Sequence, residues 1–355
     1  MMSEFFRPNI ARMRGYVPGE QPQEDEYIKL NTNENPYPPS PLALERLGSA
    51  LDERLRLYPD PDAHDLRRKL AEVFTTNPDQ IIVGNGSDEL LNVIIRSFAG
   101  EGDKIVYPNP TYGYYKPLIE IQGAKAVPID FPDNYALPPD LAVPGARVTF
   151  LANPNGPSGT HIPYREVAAL CQRIDGVLVV DEAYVDFSTG GCIPLIDKYP
   201  NTIVLRTMSK SFSLAGMRIG FAFAAAEIVS GMWKVKDHYN LNRLSLVAAE
   251  AALEDIDTMR CNAARICRTR ERLCKRLTEL GFFVWDSQAN FVLARLGEDL
   301  AGYAAATLYE QLKERRILVR YFDDPPRLSN CLRISIGTDT EIDTLLTALE
   351  ELTSI

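Results

Sequence analysis

Metal-binding, membrane-spanning and nucleic-acid-binding signals are all scarce in this sequence. Its three histidines, His64, His161 and His238, stand far apart, and its six cysteines (Cys171, Cys192, Cys261, Cys267, Cys274 and Cys331) form no Cys-x-x-Cys pair. No zinc site is expected from that pattern, and a chain of 355 residues can bury a core large enough to need no disulfide framework. No apolar run approaches the roughly 18 residues of a membrane span. The first residues interleave Glu4, Arg7, Arg12 and Arg14 with polar groups, so no secretory leader is expected. The formal net charge is -10, the reverse of the basic excess that binds nucleic acid. There is no internal repeat and no low-complexity tract. The expected setting is a reducing cytoplasm, with small molecules rather than nucleic acid or membrane as partners.

What is present is an alternation of apolar strands and amphipathic helices. Residues 1–40 are rich in proline and polar groups and read either as a disordered tail or as an arm anchored by Tyr16, Tyr27, Leu30 and Tyr37. A helix is expected from Pro41 to Leu55, then a breaker cluster at 57–62 whose Asp62 caps the next helix. Short apolar strands follow at 81–83, 104–107, 124–129, 147–152, 177–180, 203–205 and 219–223, separated by helices such as Thr111–Gln122. Such alternation predicts an α/β fold with a mainly parallel sheet covered on both faces, and ligands at the carboxyl ends of its strands. Gly86-Ser87, Asn155, Asp181 and Lys210 all fall just past strand ends. From about Ser245 the pattern changes to a long helical stretch reaching Leu280, with Cys261, Cys267 and Cys274 read as small core residues. Strands near 282–285, 291–293, 317–320 and 332–336 with two helices complete a smaller α+β unit.

The chemistry concentrates in Thr207-Met208-Ser209-Lys210-Ser211 and the Arg218 that follows. One reading is a Ser-rich loop with an exposed lysine. The other is a Schiff-base lysine beside a phosphorylated carbonyl cofactor, pyridoxal phosphate. That cofactor needs a carboxylate at its ring nitrogen, for which Asp181 is placed at the end of an apolar strand. Its phenolic oxygen needs donors, for which Tyr184 and Asn155 are placed, and its ring needs an aromatic face, for which Tyr112 is placed. Its phosphate needs N–H groups, hydroxyls and a cation, which Gly86, Ser87, Thr207, Ser209 and Arg218 supply.

This order of motifs resembles the fold-type-I pyridoxal-phosphate aminotransferases, and among them most closely the histidinol-phosphate aminotransferases. The resemblance spans nearly the whole chain. It rests on Leu30-Asn31-Thr32-Asn33-Glu34-Asn35-Pro36, Tyr58-Pro59-Asp60, Gly86-Ser87-Asp88-Glu89, Pro110-Thr111-Tyr112, Asp181-Glu182-Ala183-Tyr184, Ser209-Lys210 through Arg218-Ile219-Gly220, and Leu332-Arg333 through Thr338. It implies a fold-type-I PLP-transferase with an N-terminal arm (1–40), a large cofactor-binding domain (41–245) and a small C-terminal domain (246–355). It implies catalytic roles for Lys210, Asp181 and Tyr184, and stacking by Tyr112. Tyr58 would reach the cofactor of a neighbouring subunit, which implies a homodimer with shared active sites. Arg333 and Arg320 would grip the substrate's anionic group, and Tyr16 would close over it.

The implied activity is transamination of L-histidinol phosphate with 2-oxoglutarate in histidine biosynthesis. Three alternatives stay open: an aminotransferase for aromatic amino acids, decarboxylation of a phosphothreonine-type substrate, and a non-catalytic binding module on the same fold. One departure stands out. The family asparagine before the proline of Asn-Pro-Thr-Gly is replaced by Gly156, and Asn155 is expected to supply the missing donor through an altered turn.

Overall fold

A computed structural model describes residues 5–22 and 27–353; the parts of the arm at 1–4 and 23–26, and residues 354–355, lie outside the described residues. Thirteen strands are present among the described residues. In chain order they are β1 (Ile28–Lys29), β2 (Ile81–Asn85), β3 (Lys104–Asn109), β4 (Lys125–Asp130), β5 (Ala146–Ala152), β6 (Val177–Asp181), β7 (Thr202–Thr207), β8 (Ile219–Ala224), β9 (Phe282–Val284), β10 (Phe291–Leu296), β11 (Ile317–Leu318), β12 (Arg320–Tyr321) and β13 (Cys331–Ser335). A seven-stranded sheet has the order β2-β8-β7-β6-β5-β3-β4. Pairings from β4 to β7 are parallel, and β8 runs antiparallel to both of its neighbours. A second sheet, β12-β13-β10-β9, is antiparallel throughout.

The sheet forms because its strands are apolar on both faces. Along β6, Leu178 and Val180 enter one core with Leu66, Leu70, Val204 and Leu253, while Val177 and Val179 enter another with Leu90, Ile94, Ile119 and Ile203. Burying each such side chain contributes about 1.5–3 kcal/mol. Helix Ser87–Phe98 shows the match from the helical side, with Leu90, Leu91, Ile94 and Ile95 on its sheet face and Arg96 outside. The antiparallel sheet packs on helices Ile256–Glu279 and Asp339–Thr353 through a separate core that includes Ile266, Leu273, Val292, Ile334 and Leu345.

Several sequence expectations need correction. The helix from Pro41 stops at Ser49, and a 3-10 turn, Glu53–Arg56, follows because the Asp52 side chain accepts from Arg54 N–H and starts a new turn. Asp60, not Asp62, takes the N–H of His64 at the start of helix His64–Phe74. The helix expected from Thr111 begins at Tyr115. The long stretch after Ser245 is two helices, Arg243–Glu254 and Ile256–Glu279, broken at Asp255, whose carboxylate accepts from Ser40 and Thr258. Helix Arg243–Glu254 buries Leu246, Ala249 and Leu253 in the core under the seven-stranded sheet, so the packing changes partner at Asp255. Cys261 is exposed, and Cys267 and Cys274 are only half-buried, because they sit at the edge of the apolar face of their helix.

The arm lies against the rest of the chain. Arg7 and Asn9 side chains donate to the carbonyls of Ile121 and Glu120. Lys313 pairs with Glu20 at 2.8 Å. β1 pairs parallel with β11, Leu30 is buried in the C-terminal core, and Leu30 O accepts from Ser335 N–H. No helix among the described residues is long and apolar enough to cross a membrane.

Candidate active site

The carboxyl ends of β2, β6 and β7 converge on one region. Gly86 follows β2 at φ 79°, a left-handed conformation suited to glycine, and no side chain caps helix Ser87–Phe98. Its first N–H groups and the helix dipole therefore make an anion seat. Arg218 faces it: a Cβ on Gly86 would stand 2.5 Å from Arg218 Nη2, and one on Gly220 would stand 2.3 Å from Ser87 N. The approach to backbone requires glycine at 220, while at 86 it is the left-handed φ that favours glycine. Thr207 and Ser209 sit beside it, buried, with Thr207 Oγ1 donating to Ser209 Oγ at 3.0 Å. Asp88, in the first turn of the helix, accepts from Arg218 Nη2 at 3.1 Å and from Tyr112 O–H at 3.0 Å.

Asp181 ends β6. It is 5% exposed and accepts from Tyr115 O–H at 2.7 Å and from Ala183 N–H at 3.2 Å. Among the described residues no lysine or arginine pairs with it. Burial pushes its carboxyl up to about 6, with the Tyr115 hydroxyl opposing. Tyr115 is itself wholly buried, stacked on Phe150 with ring centroids 4.7 Å apart, and burial raises its hydroxyl well above the usual range.

Lys210 follows β7. Its Nζ lies 5.7 Å from the centre of the Tyr184 ring and donates to Thr32 O at 3.3 Å. The Asn35 side chain donates to the carbonyls of both Lys210 and Ser211, which holds the lysine loop from the arm side. Tyr184 packs edge-on to Phe291, and its hydroxyl accepts from Asn33 Nδ2 at 3.1 Å.

The C-terminal sheet contributes two cations. Arg320 on β12 pairs in register with Arg333 on β13. Arg333 Nη2 donates to Asn31 O at 2.8 Å, while its buried Nε has no partner among the described residues. Burial, with Arg320 adding to it, lowers the Arg333 guanidinium from its ordinary value. Tyr16 reaches this group from the arm, with its ring 6.2 Å from Tyr112 and 5.3 Å from Tyr114. Burial raises its hydroxyl, and the charges of Arg333 and Arg320 act against that.

The structure thus brings Gly86, Ser87, Tyr112, Asp181, Tyr184, Thr207, Ser209, Lys210, Arg218, Tyr16, Arg320 and Arg333 into one region. Two predicted residues stand apart. Tyr58 is 80% exposed and stacks on Tyr239 at the surface, with ring centroids 4.4 Å apart. Asn155 is buried inside its own loop. Its Nδ2 donates to Pro110 O and Ser158 Oγ, and its Oδ1 accepts from Thr111. Both amide hydrogens are engaged there, so the turn at Gly156 does not free Asn155 to donate elsewhere. Four polar residues in direct contact with the site were not assigned roles from sequence: Tyr115, Asn33, Asn35 and Asp88. The exposed group Asp60, Asp62 and His64 is of metal-ligating type, but Asp60 is engaged at the start of helix His64–Phe74.

The family model for aminotransferase class I and II matches residues 25–349. The chain is 43% identical over 353 residues to histidinol-phosphate aminotransferase 1 of Trichormus variabilis, covering 99% of each. It is 45% identical over 356 residues to the histidinol-phosphate aminotransferase of Syntrophotalea carbinolica, covering 98% of this chain and 99% of that one. Among solved structures it is similar to histidinol-phosphate aminotransferase from Sinorhizobium meliloti in complex with pyridoxal-5'-phosphate. That match has a TM-score of 0.90 and 29% identity, and covers 99% of this chain and 98% of that one.

Proposed function

The chain belongs to the class I and II aminotransferases, and we propose that within this family it is a pyridoxal-phosphate-dependent histidinol-phosphate transaminase. It moves the amino group of L-histidinol phosphate to 2-oxoglutarate, giving imidazole acetol phosphate and glutamate in histidine biosynthesis. The observation that carries the substrate is the Arg320–Arg333 pair with its unpartnered, buried Nε. Guanidinium groups bind a phosphate monoester or a carboxylate through paired N–H donors, so one pocket serves both substrates.

The residues present fit the cofactor. An uncapped helix start facing Arg218 fits a phosphate, and a buried acid lacking a cation fits a pyridinium nitrogen. When bound, pyridoxal phosphate supplies an aldehyde carbon that reacts with amines and a ring that draws electron density while its nitrogen is protonated. Asp181 would keep the proton on that nitrogen. The Gly86–Ser87 backbone, Thr207, Ser209 and Arg218 would hold the phosphate, and the Tyr184 hydroxyl would donate to the phenolic oxygen. Tyr112 would cover the ring. Lys210 Nζ would be the attachment point and the general base, taking the proton from the substrate carbon that bears the amine. Asn155 keeps the loop around Gly156 in shape. Tyr16 covers the substrate and excludes water.

The active unit is a homodimer in which Tyr58 serves the neighbouring site. Its exposure supports this, as does that of Leu51, Leu55 and Leu57 beside it. The chain divides into an arm to residue 40, a cofactor-binding unit and a C-terminal unit, and the packing favours Asp255 as their border. A cytoplasmic location agrees with six cysteines free of disulfides. Absorbance of the cofactor-loaded protein tests the reading. Bleaching on addition of L-histidinol phosphate, and its loss in Lys210→Ala, is the expected result. Bleaching only with phenylalanine or tyrosine transfers the assignment to an aromatic aminotransferase, and no chromophore at all would indicate a non-catalytic module.

A further inference from the structure

Asn33 is 2% exposed and sits at φ 58°, a left-handed conformation that asparagine tolerates better than other residues with side chains. Every polar group of this residue has a partner, and the partners come from opposite sides of the molecule. Its backbone N–H donates to Ser335 Oγ at 2.9 Å, so the Ser335 hydroxyl spends its own proton on Asn33 Oδ1, 3.0 Å away. That exchange fixes which end of the amide is oxygen. Nδ2 is thereby turned to the Tyr184 hydroxyl at 3.1 Å. Asn290 Nδ2 closes the set by donating to Asn33 O at 2.9 Å. Ser335 ends β13 and Asn290 precedes β10 in the C-terminal sheet, whereas Tyr184 follows β6 of the seven-stranded one.

We infer that Asn33 is a positioning residue that acts through Tyr184, occupying the phenol oxygen as a donor so that the phenol proton is left to be given into the site. A phenol has one proton. If its oxygen accepts from Asn33, that proton goes elsewhere; if position 33 accepts instead, the proton is consumed there. The neighbours of Asn33 make the same strand of backbone a common frame. Asn31 O takes Arg333, Thr32 O takes Lys210, and the Asn35 side chain holds the Lys210 loop. The inference rests on the role given above to Tyr184, and the experiment separates the two.

Three variants of the full-length, cofactor-loaded protein are titrated with pH while its visible absorbance is followed. Asn33→Asp keeps the left-handed turn and the oxygen facing Ser335, but turns a donor into an acceptor. Asn33→Gly keeps the turn and removes the amide. Tyr184→Phe removes the hydroxyl. Without a donor beside it, the cofactor's phenolic oxygen is more electron-rich and holds the adjacent proton to higher pH. The midpoint is expected to rise by about one pH unit in Tyr184→Phe and in Asn33→Asp, and by less in Asn33→Gly. In a Tyr184→Phe background the Asn33 substitutions are expected to move it no further. An unshifted midpoint in both Asn33 variants, with Tyr184→Phe shifted, would overturn the inference and leave the Tyr184 role standing. So would an Asn33 shift that persists without the hydroxyl. An unshifted Tyr184→Phe would overturn both. Thermal melting of the same variants shows how much of any effect is lost packing, which does not move the midpoint.

Discussion

Asp181 and Glu182 are consecutive, almost wholly buried acids at the end of β6, and the fold treats them oppositely. Glu182 has a cation of its own: Arg206 donates through Nε at 2.9 Å and approaches through Nη2 at 2.8 Å, and Cys192 N–H takes the other carboxylate oxygen. Among the described residues Asp181 has only neutral donors, Tyr115 O–H and Ala183 N–H. Burial raises both carboxyls, but Arg206 works against this at Glu182, whereas at Asp181 no cation does. A buried charge without a counterion is costly, and such sites cluster where a ligand completes them. Side chains alternate across a strand, so two neighbours face different layers. Glu182 faces a pair completed within the chain, and Asp181 faces the region where β2, β6 and β7 end, with no charged partner among the described residues.

The largest test of that contrast is Asp181→Asn. Amide replaces carboxylate with the same shape and still accepts from Tyr115, so the fold persists. Removing one preorganised charge from the reacting centre lowers turnover on the order of 10³-fold, measured as the rate of bleaching by L-histidinol phosphate. Stability of the cofactor-free protein moves the other way. The folded state holds the Asp181 proton to higher pH than the unfolded chain, whose ordinary value is 3.8. This term favours folding fully below that value and is lost as pH rises through about 6. Denaturant unfolding is therefore expected to show the variant overtaking wild type with rising pH, by up to about 3 kcal/mol at pH 8. A variant less stable than wild type at pH 8 would mean that Asp181 is already compensated and that the contrast with Glu182 is false.

Glu182→Gln probes the other side. It strands a buried guanidinium, a change that costs about 3–5 kcal/mol in general. The low end is expected here, because Arg206 Nη1 is also 3.7 Å from Asp186. The loss appears in unfolding at neutral pH, while the turnover of the folded fraction changes less than threefold. A large fall in turnover at unchanged stability would place Glu182 with Asp181 as a functional acid.

The sequence shows one half of this contrast far better than the other. The run Val177–Val180 announces a buried strand, and an acid at its end is conspicuous. The alternation also carries the mainly parallel sheet. The antiparallel course of β8 is not visible, since an apolar strand reads alike in either direction, and one of the groups that hold Asp255 at the helix break, Ser40, lies 215 residues earlier. The partners of two site side chains lie similarly far off: Tyr115 is 66 residues from Asp181, and Asn33 is 151 from Tyr184. Tyr115 sits in a helix expected from its apolar face, where tyrosine reads as core, and it is core. Its hydroxyl's role depends on which strand end the sheet order sets beside it. Asn155 misleads in the opposite sense, because its position after a strand suggests a ligand while the loop itself uses its amide.

The smallest expected effect belongs to Tyr115→Phe. The ring keeps its place, since the stack on Phe150 involves no polar atom, and only the O–H donor to Asp181 is removed. The carboxyl then keeps Ala183 N–H alone and is pushed further up, because the Tyr115 hydroxyl is the largest force holding it down. Cofactor-free protein at pH 8 is expected to lose about 1 kcal/mol, and less toward pH 4, where the acid is protonated in both proteins. Turnover is expected to fall by about fivefold, the same energy expressed as a rate. The pH dependence is what distinguishes this from simple packing. A loss that stays constant from pH 4 to 8 reports a missing hydroxyl contact unrelated to charge, and the difference between the two acids would then rest on Arg206 alone.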